Sequence, residues 1–311
     1  MLAQHPGRVP RAGAVLIAPV SRTQVLTSAV LAAVGCAASS SGEDKPPAPT
    51  RIIAMGPNSA EIVCALGACD RIVGVSKFCV YPPELANKPQ VGGLYDPDLE
   101  RIAALRPDLL VTRGRNEAVD ALCERLGVQI YADATDSFAG IEQSVRDLGN
   151  ILDRAPQADE LVREFQSRLS AIRRATAGKS RPRVFLTVSR NPDRLANILT
   201  TGKGTFLGEM IECAGGDNVF GDLDMRYPEV SPEGILARRP QVIIELMPEV
   251  ALTPELERQM REQWRQLGDA PAVSGDRIHF LTDDHCLIPS PRYPRIVEKV
   301  SRILHPDSPG R

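Results

Sequence analysis

The chain is poor in aromatic residues and in histidine. Phe, Trp and Tyr make up 4% of its 311 residues, with a single tryptophan, Trp264, and there are four histidines. A stacking platform for bases or sugars requires several aromatic side chains, and a dedicated zinc receptor requires clustered histidines. The formal net charge of −2 also lacks the basic excess typical of nucleic-acid binders. These shortages argue against a zinc receptor and against a nucleic-acid partner.

The sequence also lacks the motifs of common catalytic sites. It contains no GxSxG, GxxxxGK[ST] or HExxH pattern, and no CxxC pair of the kind found in zinc ribbons or thioredoxin-type redox sites. Residues 202–205 (GKGT) resemble a phosphate loop but lack its spacing, and they instead predict the cap of a helix that follows Thr205. We therefore do not expect this protein to be an enzyme. The strongest alternative is that it is a cofactor-handling enzyme built from α/β lobes.

No apolar run is long enough to span a bilayer. The run at residues 25–35 is too short for a transmembrane helix, and it ends in Ala33-Val34-Gly35-Cys36, which resembles a bacterial lipoprotein box. We predict a lipoprotein signal peptide over 1–36, lipidation at Cys36 and a flexible Ser/Pro/Gly-rich tether over 37–49. The alternative is an ordinary signal peptide with a coincidental cysteine. The expected location is the cell envelope, in the periplasm or on the outer face of the cytoplasmic membrane, with the lipid as the only anchor.

Export would leave six cysteines in an oxidising compartment, where disulfides can form. Their spacing fixes no framework, because six cysteines allow 15 pairings. Three of them fall in apolar helical patterns and are interpreted as small buried hydrophobes: Cys64, Cys123 and Cys213.

An internal repeat organises the chain. Residues 100–111 (ERIAALRPDLLV) and 233–244 (EGILARRPQVII) share a glutamate, a helical pattern, an Arg-Pro and an apolar strand. A second pair, residues 70–74 and 217–221, precedes them in the same order. Repeats in one order indicate two related lobes.

Between the copies lies a long amphipathic pattern. Leu161, Phe165, Leu169 and Ile172 follow one helix face, whereas short apolar strands alternate with helices on both sides. The predicted fold class is α/β, with two related lobes that have mostly parallel central sheets and are joined by one long backbone helix. The predicted boundaries are an N-terminal lobe over 50–153, the linking helix over 154–178, a C-terminal lobe over 179–305 and a tail over 306–311.

Several motifs on this framework resemble those of a known class of proteins. The class comprises substrate-binding proteins of ABC importers for vitamin B12, ferric siderophores and haem, whose two lobes are joined by one rigid helix. The motifs are Tyr81-Pro82-Pro83-Glu84, Gly92-Gly93 ahead of Asp98-Leu99-Glu100-Arg101-Ile102, residues 105–111, residues 214–220, Val230-Ser231-Pro232-Glu233 and Ser290-Pro291-Arg292.

The resemblance implies a function and partners. It implies a monomeric lipoprotein that captures a metal chelate, such as a cobalamin, another corrinoid or a ferric siderophore, as its transported ligand, and that has no intrinsic cofactor. The chelate would be delivered to a permease homodimer with its ATPase subunits. The alternatives are a haem or metal-ion receptor of the same fold, and a ligand sensor that does not serve transport.

The repeated glutamates acquire a role from the resemblance. In the class, one glutamate of each lobe pairs with arginines of the permease, and by motif position these are Glu100 and Glu233. Two carboxylates related by a pseudo-twofold axis suit a twofold dimer. The alternative is that an acidic residue in the first turn of a helix only complements the helix dipole.

The resemblance also implies a ligand cleft between the lobes. By position, Tyr81 and Tyr227 match its aromatic slots, and Asp284 and Arg292 match its polar contacts. Tryptophans expected near residues 94 and 112 are absent.

In their place the chain has Leu94, Thr112 and Arg113. Arg113, Arg115 and Arg292 would instead suit an anionic siderophore or a tetrapyrrole that carries carboxylates. The alternative is that they are solvated loop residues.

A direct metal site is a further hypothesis. His285 and Cys286 are adjacent, and Cys79 is expected to face them across the cleft. One imidazole and two thiolates can bind a soft metal or ligate the metal of a haem or a corrinoid axially.

Overall fold

The computed structural model describes residues 47–306. The predicted signal peptide, Cys36, most of the tether and most of the tail therefore lie outside the described residues. Within them, no helix is both long and apolar enough to cross a bilayer.

The N-terminal lobe is a four-stranded parallel sheet flanked by helices. Its strand order is β2-β1-β3-β4. β1 and the first three residues of β3 are apolar and buried, as expected for a parallel sheet covered by helices. The elements are β1 (Ile52–Met55), α1 (Pro57–Ala65), β2 (Ile72–Val75), α2 (Leu99–Ala104), β3 (Leu109–Arg113), α3 (Glu117–Leu126), β4 (Gln129–Asp133) and α4 (Phe138–Ile151).

The C-terminal lobe follows α5 (Ala155–Thr176) and contains a mixed sheet. Its strand order is β10-β9-β5-β6-β8, and β7 pairs with β5. β10, β9, β5 and β7 are parallel, whereas β6 is antiparallel to β5 and β8. The elements are β5 (Arg183–Ser189), β6 (Ile198–Thr200), α6 (Phe206–Cys213), β7 (Asp217–Asn218), β8 (Glu229–Val230), α7 (Pro232–Ala237), β9 (Val242–Leu246), α8 (Pro254–Arg265), α9 (Pro271–Ser274), β10 (Ile278–Leu281) and α10 (Tyr293–Leu304).

The long helix α5 connects the two lobes, which confirms the predicted fold class. Its 22 residues correspond to a length of about 33 Å. Its buried face carries Val162, Phe165 and Leu169, which belong to one hydrophobic cluster that continues into both sheets. Because the lobes share this core, a large hinge motion would expose apolar surface. The exact lobe boundaries stay a prediction.

The repeat extends to the hydrogen bonds that end its helices. Nη2 of Arg51, just before β1, donates to the carbonyl of Leu105 at 2.6 Å, and Nη2 of Arg183, at the start of β5, donates to the carbonyl of Arg238 at 2.6 Å. Each bond satisfies a carbonyl at the C-terminal end of the repeated helix. The equivalent strand pairs, β1 with β3 and β5 with β9, are both parallel. These shared details support a common origin of the lobes.

Helices α6 and α4 differ in how far the sequence indicated them. The predicted cap at Thr205 is confirmed, since its Oγ1 accepts from the amide of Gly208 at 3.0 Å. Helix α4 was missed, although Phe138, Ile141, Val145 and Leu148 form its buried face at helical spacing.

Cys64 forms a disulfide with Cys69, a pairing that the spacing alone left open. The interpretation of Cys64 as a free buried hydrophobe is therefore wrong. Cys123 and Cys213 are free and buried, as expected.

The disulfide closes a short loop after α1, so its removal should have a moderate effect. We expect Cys64→Ser with Cys69→Ser to lower the free energy of unfolding by about 2 kcal/mol, because the unfolded chain regains the entropy of a small loop. Urea denaturation measures this. A reducing agent should destabilise the wild type by a similar amount and leave the variant unchanged; a further loss in the variant would contradict the assignment.

Candidate ligand-binding cleft

A pocket of about 480 Å³ lies between the two lobes. The N-terminal lobe contributes the loops that follow β1, β2 and β3, and the C-terminal lobe contributes the loop after β10. Carboxyl ends of parallel strands meet at one sheet edge, which is where α/β proteins bind ligands. The lining residues are Met55, Gly56, Pro57, Asn58, Ser76, Phe78, Gly93, Leu94, Tyr95, Arg113, Leu287, Ile288 and Pro289.

Two aromatic side chains that the sequence analysis did not select lie at this pocket. Phe78 is 61% exposed and Tyr95 is 95% exposed, which is unusual for large apolar groups in a protein of few aromatics. They lie beside Leu94 and Arg113, close to the positions where tryptophans were expected. Phe78 lies in the loop that follows β2, and its exposure could not be read from the sequence. The cleft therefore has aromatic surface from Phe78 and Tyr95 in place of the expected tryptophans.

Arg292 is held in a buried ion pair that crosses the lobes. Its Nε donates to Oε2 of Glu61 on α1 at 2.8 Å, and its Nη1 donates to Oδ2 of Asp284 at 2.7 Å. The guanidinium carbon lies 3.8 Å from the ring centroid of Tyr81. Glu61 and Arg292 are both almost fully buried. The structure thus brings together three predicted residues and adds Glu61, which carried no signal beyond its place on an apolar helix.

The contacts of Asp284 lower the pKa of its carboxyl group. Burial alone would raise its pKa, but the hydrogen bonds from Arg292 and His285 outweigh burial and hold its pKa below the ordinary value. Asp284 is therefore ionised at neutral pH and neutralises part of the charge of Arg292.

A second ion-pair group crosses the cleft at Asp136. Oδ1 accepts from Nη2 of Arg113 at 2.9 Å, and Oδ2 accepts from Nη1 of Arg226, on the C-terminal lobe, at 2.6 Å. Burial would raise the pKa of Asp136, but the two arginines lower it overall. Tyr227 is half-buried nearby; burial raises its pKa, and the charge of Arg113 opposes that rise. Arg113 and Tyr227 therefore belong to one cluster, together with two residues that the sequence did not indicate.

Arg115 lies apart from these groups. Its Nε donates to Oδ2 of Asp120 on α3 at 2.7 Å, and its side chain, just before that helix, is largely exposed. The structure therefore does not bring Arg113, Arg115 and Arg292 together into one cationic site.

A buried polar cluster supports the floor of the pocket. Asp133, at the end of β4, accepts from Oγ of Ser59 at 2.6 Å and from Nδ2 of Asn58 at 2.8 Å. Burial raises the pKa of Asp133 above its usual range despite these bonds. The cluster fixes Asn58, whose side chain borders the pocket.

The metal site expected at Cys79, His285 and Cys286 stays a prediction. Within residues 47–306, no three His, Cys, Asp or Glu side chains are grouped so as to hold a metal ion. Cys79 and Cys286 are buried, and burial raises the pKa of both thiols, that of Cys286 to about 12. A metal would have to displace the proton of each thiol, and a raised thiol pKa makes that step less favourable. His285 is held by Asp284 at 2.7 Å and borders a small apolar gap with Phe206, behind the cleft.

The two repeated glutamates lie on equivalent short helices. Glu100 is in the first turn of α2 and Glu233 is in the first turn of α7, and both are exposed. The helices are capped by Asp98, which accepts from the amide of Arg101, and by Ser231, which accepts from the amide of Gly234. The N-caps therefore do not require the glutamates.

A larger pocket of about 770 Å³ lies beside α5, between α4 and α6. It is lined by groups of both charges, and none of the predicted site residues borders it. Its position away from the strand ends favours the smaller pocket as the ligand site.

Two α/β lobes joined by one helix, with a cleft between them, define a substrate-binding protein. The periplasmic binding protein family model matches residues 52–284, and the chain belongs to that family. This confirms the resemblance found in the sequence. The family comprises substrate-binding transport proteins that deliver ligand to ABC permeases, and it is not a family of enzymes.

Individual relatives agree with this assignment. The chain is 29% identical over 263 residues to a vitamin B12-binding protein of Vibrio cholerae serotype O1, covering 84% of this chain and 91% of the relative. It is 37% identical over 198 residues to a vitamin B12-binding protein of Salmonella typhimurium, covering 62% of this chain and 71% of the relative.

Solved structures show the same fold. The periplasmic vitamin B12 binding protein of Vibrio cholerae aligns with a TM-score of 0.69 at 28% identity, covering 82% of this chain and 96% of that chain. A periplasmic haem-binding protein from Pseudomonas aeruginosa aligns with a TM-score of 0.71 at 25% identity, covering 84% and 94%.

Proposed function

We propose that this protein is the substrate-binding lipoprotein of an ABC importer and that it captures a corrinoid between its lobes. The observation that carries the choice of ligand is an aromatic and apolar cleft in which each arginine is already paired with a carboxylate. Lipidation at Cys36 would hold the protein at the membrane, in the periplasm or on the outer face of the cytoplasmic membrane.

Charge separates the candidate ligands. Arg292 is paired with Glu61 and Asp284, and Arg113 shares Asp136 with Arg226. Two carboxylates face one arginine in the first group, and two arginines face one carboxylate in the second, so the cleft is close to neutral. A strongly anionic siderophore would need unpaired cations, whereas a corrinoid rich in amides needs apolar surface and hydrogen bonds.

The lining of the pocket fits such a ligand. Phe78 and Tyr95 offer rings for a planar macrocycle, and Asn58 and Ser76 offer hydrogen-bonding groups. The vitamin B12-binding relatives support the same ligand class. Tyr81, Tyr227, Asp284, His285 and Arg292 stay predicted contacts, with Tyr81 and Arg292 contributing at the edge of the cleft. Cys79 and Arg115 stay weaker predictions, because Cys79 is buried in the core and Arg115 is paired with Asp120 beside α3.

Thermal unfolding with added chelates tests the proposal. We expect cyanocobalamin at 100 times its dissociation constant to stabilise the full-length protein by about 2.7 kcal/mol, with no comparable effect of the anionic siderophore complex ferric enterobactin or of hemin. The aromatic surface supplies contact area, so Phe78→Ala with Tyr95→Ala should weaken cyanocobalamin binding about tenfold or more.

The matched control is Leu126→Ala, which removes an exposed apolar side chain of α3 that does not border the pocket. It should leave the stabilisation unchanged. Stabilisation by hemin alone would identify a haem receptor, and no stabilisation by any of the three chelates would overturn the proposal in favour of a sensor.

A further inference from the structure

Two arginines occupy equivalent positions at the far ends of the repeated helices. Arg106 follows α2 and Arg239 follows α7, and they are 133 residues apart, like Glu100 and Glu233. Both arginines are exposed. Their φ angles are 45° and 47°, in the left-handed region that glycine and asparagine favour after a helix.

The fold gives no reason for arginine at these positions. A cation near a helix C-terminus can satisfy the last carbonyls, but Arg51 and Arg183 already donate to those carbonyls. Glycine would meet the backbone requirement at lower cost.

The neighbouring arginines on this surface are paired within the chain. Arg101 pairs with Asp98, and Arg238 pairs with Asp222. In the described part of the chain, the side chains of Arg106 and Arg239 have no hydrogen bond or ion pair, so two cations are left unpaired at matching places in the two lobes.

We propose that Arg106 and Arg239 are a second pair of docking contacts, which bind acidic side chains on a partner with twofold symmetry. This inference rests on the proposed function, because the partner is the permease dimer. Each lobe would present a carboxylate at the start of a six-residue helix and a guanidinium just beyond its end. Such a helix is about 9 Å long, so the partner must carry the opposite charges at a similar separation. A repeated pair of opposite charges fixes orientation as well as position.

The test measures binding of the full-length protein, loaded with cyanocobalamin, to its permease–ATPase complex in nanodiscs. We expect Arg106→Gln with Arg239→Gln to weaken the complex about three- to tenfold at low salt, as two exposed ion pairs would. The difference should shrink at about 1 M salt, where the Debye length is about 3 Å. Arg106→Gly with Arg239→Gly should weaken docking equally while it preserves or raises thermal stability, because glycine suits the left-handed backbone.

The control pair is Arg125→Gln with Arg194→Gln, which removes one exposed cation from each lobe outside the repeat. An equal loss in the control would overturn the inference, since it would show only general attraction. A different result would overturn only the inference: docking is unchanged in both Arg106/Arg239 variants but is lost in the variant that combines Glu100→Ala and Glu233→Ala. The proposed function would then stand. Unchanged docking in all variants would overturn both.

Discussion

Replacing Glu100 and Glu233 together with alanine is expected to abolish ligand delivery and to leave ligand affinity unchanged. Both carboxylates are exposed, and neither supplies the N-cap of its helix. Neither borders the cleft pocket. Their loss should therefore remove contacts with the permease without disturbing the fold. The measurements are uptake of labelled cyanocobalamin into proteoliposomes that contain the importer, and cyanocobalamin affinity by calorimetry.

The control for this variant is Glu124→Ala with Glu262→Ala, which removes one exposed helical carboxylate from each lobe. Uptake should persist in the control. Each single variant should keep part of the uptake, because one of two contacts is left. Loss of cyanocobalamin affinity in the Glu100/Glu233 variant would show that these residues serve the fold or the cleft, and would remove the docking assignment.

Replacing Arg292 with alanine is expected to lower the free energy of unfolding by about 3 kcal/mol or more. The substitution leaves Glu61 buried on α1 without its partner, and an unpaired buried carboxylate is costly. It also removes the cation that lies over Tyr81. Chemical denaturation at pH 7 measures the loss.

A paired substitution separates the cost of the unpaired charge from the cost of lost packing. Glu61→Met with Arg292→Met keeps similar side-chain volumes and removes both charges. We expect this variant to be markedly more stable than Arg292→Ala, because apolar replacements of buried ion pairs are often tolerated. Equal losses in the two variants would show that the ion pair is not what joins the lobes at this point.

Much of the architecture was predictable because it depends on short-range patterns. The apolar stripe of α5 and the alternation of strands and helices are periodic along the chain, and periodicity follows directly from backbone geometry. The antiparallel strands β6 and β8 were not predicted, since they have three and two residues and too little pattern to detect. The disulfide was also left open, because spacing alone does not specify pairing.

The site was less predictable than the fold. Tyr81, Tyr227, Asp284 and Arg292 were predicted from motif positions, and Arg113 was predicted from the place of an expected tryptophan. All five lie near the lobe interface. The burial of Cys79 and Cys286 was not predictable, because adjacency in sequence does not show which side chains turn into the core.

The sequence by itself determined the repeat, the linking helix and the class of protein, because each was read from short patterns of neighbouring residues. Only the tertiary structure decided which charges are free. Glu61 and Arg292 are 231 residues apart and meet across the lobes, so an arginine that suggested an anionic ligand is already neutralised. The same structure leaves Arg106 and Arg239 unpaired within the described chain. Whether two charged side chains form an ion pair depends on their distance in the folded protein, and the sequence does not give that distance.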